Sequence, residues 1–170
     1  MRAPPRITVQ DAAGRDLSEP ALTDADIRDY LTGWELFNRK HYWHAHEAWE
    51  AVWKRHPEPS RLFFEGIIQL AAAYHLLTGA VRYRGTVGNF AKAEERLRLF
   101  GERGRFLGVD VDALLQHIRA ARMELERVGA DGLRNVSPGL LPRVACTLTS
   151  ARGTTSIPAT TPSARAPRSR

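Results

Sequence analysis

Apolar residues recur at helical spacing in five stretches of this chain, separated by polar or Gly- and Pro-containing breaks. Thr23 followed by Asp24 and Asp26 marks a helix start, a capping hydroxyl with acidic residues where the macrodipole favours them. The pattern predicts a first helix running to about Asn38 and, after the break Asn38–His41, a second from Tyr42 to about Arg55. His56-Pro57-Glu58-Pro59 stops it. Ser60 is the expected cap of a third helix, Arg61 to about Thr78, which is apolar on nearly every side, as in an element surrounded by others. Gly79–Gly88 reads as a loop, Asn89 to about Arg103 as a fourth helix, and Asp110 opens a fifth that ends near Val128 and Gly129. Pro4, Pro5, Gly14 and Pro20 make residues 1–20 an irregular arm with a faint strand pattern over Arg6–Gln10, and no strand pair is predicted. The expected fold is all-α, a bundle of about five helices built from antiparallel hairpins with the third helix at its centre. It occupies residues 21–145, ahead of a Thr/Ser/Pro/Arg tail over 146–170 that is expected to be disordered.

The second and fourth helices open on a partial echo, in which Tyr42, Ala45, Glu47 and Trp49 correspond to Phe90, Ala93, Glu95 and Leu97, 48 residues later. Two hairpins of one kind would use the aromatic as a wedge and the alanine for close approach, although chance likeness between amphipathic helices reads the same way.

Charge changes the picture only by its position. The formal net charge is +6, but Arg143, Arg152, Arg165, Arg168 and Arg170 lie beyond Val136 with no acidic residue, so residues 1–136 carry 6 − 5 = +1. A near-neutral core argues against nucleic-acid binding by the folded part. The single cysteine, Cys146, excludes an internal disulfide framework and reads as an incidental thiol. The uncharged run Gly66–Val81 is shorter than the roughly 20 residues that span a bilayer, and it reads as a core helix, not a membrane segment. With no signal-peptide pattern at the N-terminus, the expected location is the cytoplasm.

The candidate chemistry sits in Tyr42-Trp43-His44-Ala45-His46-Glu47-Ala48-Trp49-Glu50-Ala51-Val52-Trp53. At about 100° per residue, His46 and Glu50 share a face with Tyr42, Trp43 and Trp53, whereas His44 falls on the opposite side. An imidazole and a carboxylate walled by aromatic rings need a partner, and the third helix offers Gln69 and His75. Two readings follow. In one, His46, Glu50 and His75 hold a divalent metal such as zinc, iron or manganese, Gln69 supports them, and Glu47 and Glu50 supply acid–base chemistry to a metal-bound water in a hydrolase-like site. In the other, the same residues form a buried structural network, and function lies on a hairpin surface that takes a protein or peptide partner. Under both, at least one polar pair across the two helices is expected to approach within about 3.5 Å, directly or bridged by one water or ion. The four tryptophans read as core, and no phosphate loop, nucleophile elbow, Cys-x-x-Cys or dinucleotide fingerprint is present.

Phe37-Asn38, Tyr42-Trp43, Ala45-His46-Glu47, Trp49-Glu50 and Trp53, with Phe63-Phe64 and Gly66 through His75, resemble the two signature segments of the family called domain of unknown function 309. The resemblance covers roughly residues 25–128 and implies an all-helical prokaryotic protein with no established activity, its polar signature falling on His46, Glu47, Glu50, Gln69 and His75. The chain departs from the pattern where Lys40 replaces the usual glycine and His44 a common acidic residue. The Arg-Gly-Asn turn is stretched to Arg84-Gly85-Thr86-Val87-Gly88-Asn89.

Overall fold

The computed structural model describes residues 7–136, 140–150 and 153–158, so residues 1–6 of the arm and 159–170 of the expected tail lie outside the described residues. In place of the faint strand pattern, the arm holds one helical turn, α1 (Val9–Ala12), which Thr8 and Asp11 close as a reciprocal capping box. α2 (Asp24–Asn38) starts from the expected Thr23 cap, with Asp26 completing the box. A three-residue turn with Lys40 at φ 66° reverses the chain into α3 (Tyr42–Trp53).

The third helix covers its predicted span but changes geometry along it. Pro59–Arg61 form a 3-10 turn, α4 covers Leu62–His75, and Leu76–Ala80 widen into a π turn that ends on Val81 at φ 49°. Ser60 does not cap it: α4 has no side-chain cap, and the Ser60 hydroxyl is buried without a partner. The predicted loop Gly79–Gly88 is mostly helix, because α5 already begins at Tyr83 and runs to Gly101. Gly85 belongs inside it, since a Cβ there would meet Leu76 Cδ1 at 2.8 Å. α6 (Val111–Val128) opens on Asp110, which accepts from the Ala113 N–H, and closes at Gly129, φ 64°, as its sequence signals require.

The helices pack in chain order, α2 on α3, α3 on α4, α4 on α5 and α5 on α6, which puts α4 at the centre of the all-helical bundle. The echoed positions Tyr42, Ala45 and Trp49 on α3 and Phe90, Ala93 and Leu97 on α5 are all buried. Tyr74 of α4 stacks on Tyr42 at 5.3 Å and meets Phe90 edge-on at 5.0 Å, so the two hairpins share one aromatic joint. The segment Pro59–Ala80 is long and apolar enough to cross a bilayer by composition, but most of it is buried inside the protein, the pattern of a core helix.

A small antiparallel sheet was not anticipated. β1 (Arg105–Phe106) and β2 (Val109–Asp110) flank a tight turn with Leu107 at φ 46° and Gly108 at φ 77°. β2 bridges to β3 (Cys146–Ser150) at Val109–Cys146, and β3 pairs with β4 (Gly153–Ile157). Two-residue strands are too short to show alternation, and the polar composition of 146–157 hid a run whose threonines suit a pleated strand. Cys146 is buried in this sheet, and burial pushes its thiol up to about 12, which fits an unreactive side chain.

Candidate functional site

α3 and α4 run antiparallel, and the residues singled out in the sequence align along one edge of their interface. Near one end, the Trp43 ring stacks on His46 at 5.0 Å and 8°, and lies 5.4 Å from the ring of His75. In the middle, Glu50 and Gln69 line a common cleft of about 450 Å³ with Ile68. At the other end, Trp53 Nε1 donates to Glu65 Oε1 at 3.0 Å. The structure therefore brings His46, Glu50, Gln69 and His75 to one edge, while Glu47 is exposed beside it and His44 points away into solvent.

The edge differs from the sealed cluster expected of these residues. His46, Gln69 and His75 are half-buried, and the Glu50 carboxylate, 37% exposed, pairs with Lys54 one turn along its own helix at 3.1 Å. Among the described residues, no direct hydrogen bond joins His46 or Glu50 to Gln69 or His75, and no group of three or more His, Cys, Asp and Glu converges closely enough to hold a metal ion. The aromatic ring of Trp43 makes the cross-helix contact instead of a polar pair. Trp43 is also the exception among the tryptophans, 47% exposed where Trp34 and Trp49 are wholly buried.

Burial holds the His46 imidazole below its ordinary value of 6.5 and outweighs the opposing pull of Glu50 and Glu47, with nearby His75 adding to the lowering. Its Nδ1 is buried without a hydrogen-bond partner. A depressed imidazole favours the neutral ring in the fold, so its contribution to stability is complete above pH 6.5 and is lost as pH falls below it. An NMR titration should place the His46 midpoint below 6.5, and Trp43→Ala, which uncovers the ring, should move it upward. A midpoint at or above 6.5 in the unsubstituted protein would contradict the burial.

The most deeply buried ionic contacts involve other residues, one group in the same cleft as Glu50 and Gln69 and one between α2 and the end of α3. Arg61, 1% exposed, sits 4.7 Å over the Trp53 ring and reaches Glu65 at 3.3 Å, and Arg96 of α5 binds the other Glu65 oxygen at 3.1 Å. Asp26, 2% exposed, accepts from Thr23 and Arg55 and lies 3.3 Å from His56 Nε2, within ion-pair reach though not aligned as a hydrogen bond. His56 Nδ1 in turn meets Glu58 at 2.9 Å and its ring stacks on Phe64. Sequence reading missed both groups. The i, i+4 spacing of Arg61 and Glu65 in an otherwise apolar helix was the available signal, whereas the partnership of Asp26 with His56 spans a whole hairpin and left none.

A central helix clasped by two hairpins, with an aromatic and polar edge along one of them, defines a helical-hairpin domain. Residues 30–87, from the middle of α2 into the first turns of α5, match the family model described as domain of unknown function (DUF309). Both signature segments fall within the matched residues. Neither the curated proteins nor the solved structures contain a match to the chain.

Proposed function

We propose that the α3–α4 edge is a recognition groove for a segment of a protein partner and that the domain works as a binding module. The observation that carries this reading is Trp43, which holds 47% of its surface in solvent while its ring rests on His46 and touches His75. A large, immobilised, half-exposed aromatic ring is the usual anchor of a binding hot spot, since little side-chain entropy is left to lose. Trp53 gives a second aromatic end to the same edge, with Glu50 and Gln69 offering an acceptor and an amide between them. The hydrolase-like reading of His46, Glu50 and His75 has weaker support, because Glu50 is directed to Lys54 and the two imidazoles are bridged by an indole.

A photo-cross-linking residue at exposed position 47, compared with one at exposed position 117 on α6, tests the groove. The expected result is a discrete protein product from position 47 alone. Trp43→Ala should then weaken the purified pair at least tenfold, with little loss of stability because the ring is half outside the core. Equal products from both positions, or affinity indifferent to Trp43, would overturn the reading. Stoichiometric zinc, iron or manganese in tag-free protein, lost in His46→Gln, would restore the metal site in its place.

A further inference from the structure

A second cleft, of about 380 Å³, opens beside the π turn, and it shares no lining residue with the α3–α4 edge. Leu77 and Val81 form one apolar wall and Leu133 and Leu141 another, with Lys40 and Arg134 as the basic residues lining it. The volume falls in the range of about 300–1,000 Å³ that small-molecule sites occupy.

Two features of this cleft point to a ligand. The exposed side chains of Lys40 and Arg134 make no ion pair or hydrogen bond with any described residue, which leaves both cations open to an anion at its rim. Two of the lining residues also carry left-handed backbone though neither is glycine, Lys40 at φ 66° and Val81 at φ 49°, the latter β-branched and therefore the more strained. Glycine would take the Lys40 turn without strain. Lysine there sets an ammonium on an apolar cleft at a cost to the fold, and strain of this kind gathers where a ligand is held.

We propose that this cleft binds a small amphiphilic carboxylate, its aliphatic tail among Leu77, Val81, Leu133 and Leu141 and its carboxylate on Lys40 and Arg134. Apolar walls provide the burial that holds the tail, and two unpaired cations provide charge-assisted hydrogen bonds to the head. A neutral amphiphile of equal length keeps the first and loses the second.

Calorimetric titration of the full chain with decanoate, against decan-1-ol as the matched neutral ligand, tests this. Saturable one-to-one binding of decanoate is expected, at least tenfold tighter than decan-1-ol. Lys40→Gly should weaken decanoate about tenfold while raising the melting temperature, because the same substitution removes a charge and relieves the backbone. Arg134→Gln should weaken decanoate to a similar degree, and neither substitution should alter the affinity for decan-1-ol. No saturable binding below about 1 mM, equal binding of the alcohol, or a decanoate affinity that either substitution leaves unmoved overturns the proposal. Loss of partner binding at Trp43 would bear on the α3–α4 groove alone, so the two readings stand or fall separately.

Discussion

Replacing Gly33 with alanine should destabilise the domain by about 3 kcal/mol, a fall in melting temperature of about 6–12 °C for a chain of this size. Gly33 lies in the middle of α2, where helix propensity alone would make alanine the better residue by about 1 kcal/mol. Packing reverses the sign. A Cβ at position 33 would stand 2.5 Å from Trp49 Cδ1 and 2.6 Å from Cε2, inside an indole that is wholly buried and touches Trp34 at 4.6 Å and Phe37 at 5.9 Å. The ring cannot retreat without losing the Trp49 Nε1 donation to Tyr30 O at 3.1 Å, worth about 1 kcal/mol. Gly88 is the matched control: it is also helical, in α5, and a Cβ there meets nothing within 4 Å, so Gly88→Ala should stabilise by up to about 1 kcal/mol. Thermal denaturation followed by circular dichroism measures both. Equal responses at the two positions would mean that α2 and α3 are not in the contact described.

Removal of the Asp26 carboxylate should have an effect of the same order. Burial opposes its charge, but the hydroxyl and backbone N–H of Thr23 and the guanidinium of Arg55 outweigh that and hold Asp26 down to about 2, from an ordinary value of 3.8. A carboxylate lowered in the fold contributes stability that is complete above about pH 4 and is lost as pH falls toward 2, on the order of 2 kcal/mol for a shift of this size. Asp26→Ala deletes its half of the capping box, the Arg55 pair and the neighbour of His56 together, and should cost about 3–4 kcal/mol at neutral pH. Asp26→Asn keeps the shape and loses the charge, so its stability should be flatter than that of the unsubstituted protein between pH 4 and 2. Urea midpoints across that range decide it, and an unchanged slope would place the acid sensitivity on another group.

Much of the fold could be read where local chemistry and packing agree. Thr23 and Asp26, Asp110 and Gly129 each mark a helix end through contacts with residues a few positions away, and each marks it in the structure. The start of α5 was hidden because Arg82 offers no side-chain cap and Gly85 and Gly88 resemble a loop, although Gly85 is there for the approach of Leu76. At the candidate site, helical periodicity brought His46, Glu50, Gln69 and His75 to one edge, since that depends only on angle around the axis. It could not show that Glu50 turns to Lys54, or that Trp43 leaves the core to lie against two imidazoles, because these depend on rotamers and on how far α3 stands from α4. Lys40 stood out in the sequence only against the pattern the chain resembles, and the backbone angle shows what it does there.

The order in which the helices pack also bears on how the chain assembles. Each helix rests chiefly on its neighbours in sequence, so most of the core closes over short loops, which favours rapid collapse of the hairpins. The exceptions gather around the sheet. Tyr30 donates to Leu107 O across 77 residues, and Asn38 exchanges hydrogen bonds with Val144 across 106. These contacts close long loops around short strands, so the sheet is expected to lock after the hairpins and to open before the helical core in sub-global fluctuation. The helical core would persist through that opening, with Cys146 exposed to solvent only while the sheet is apart.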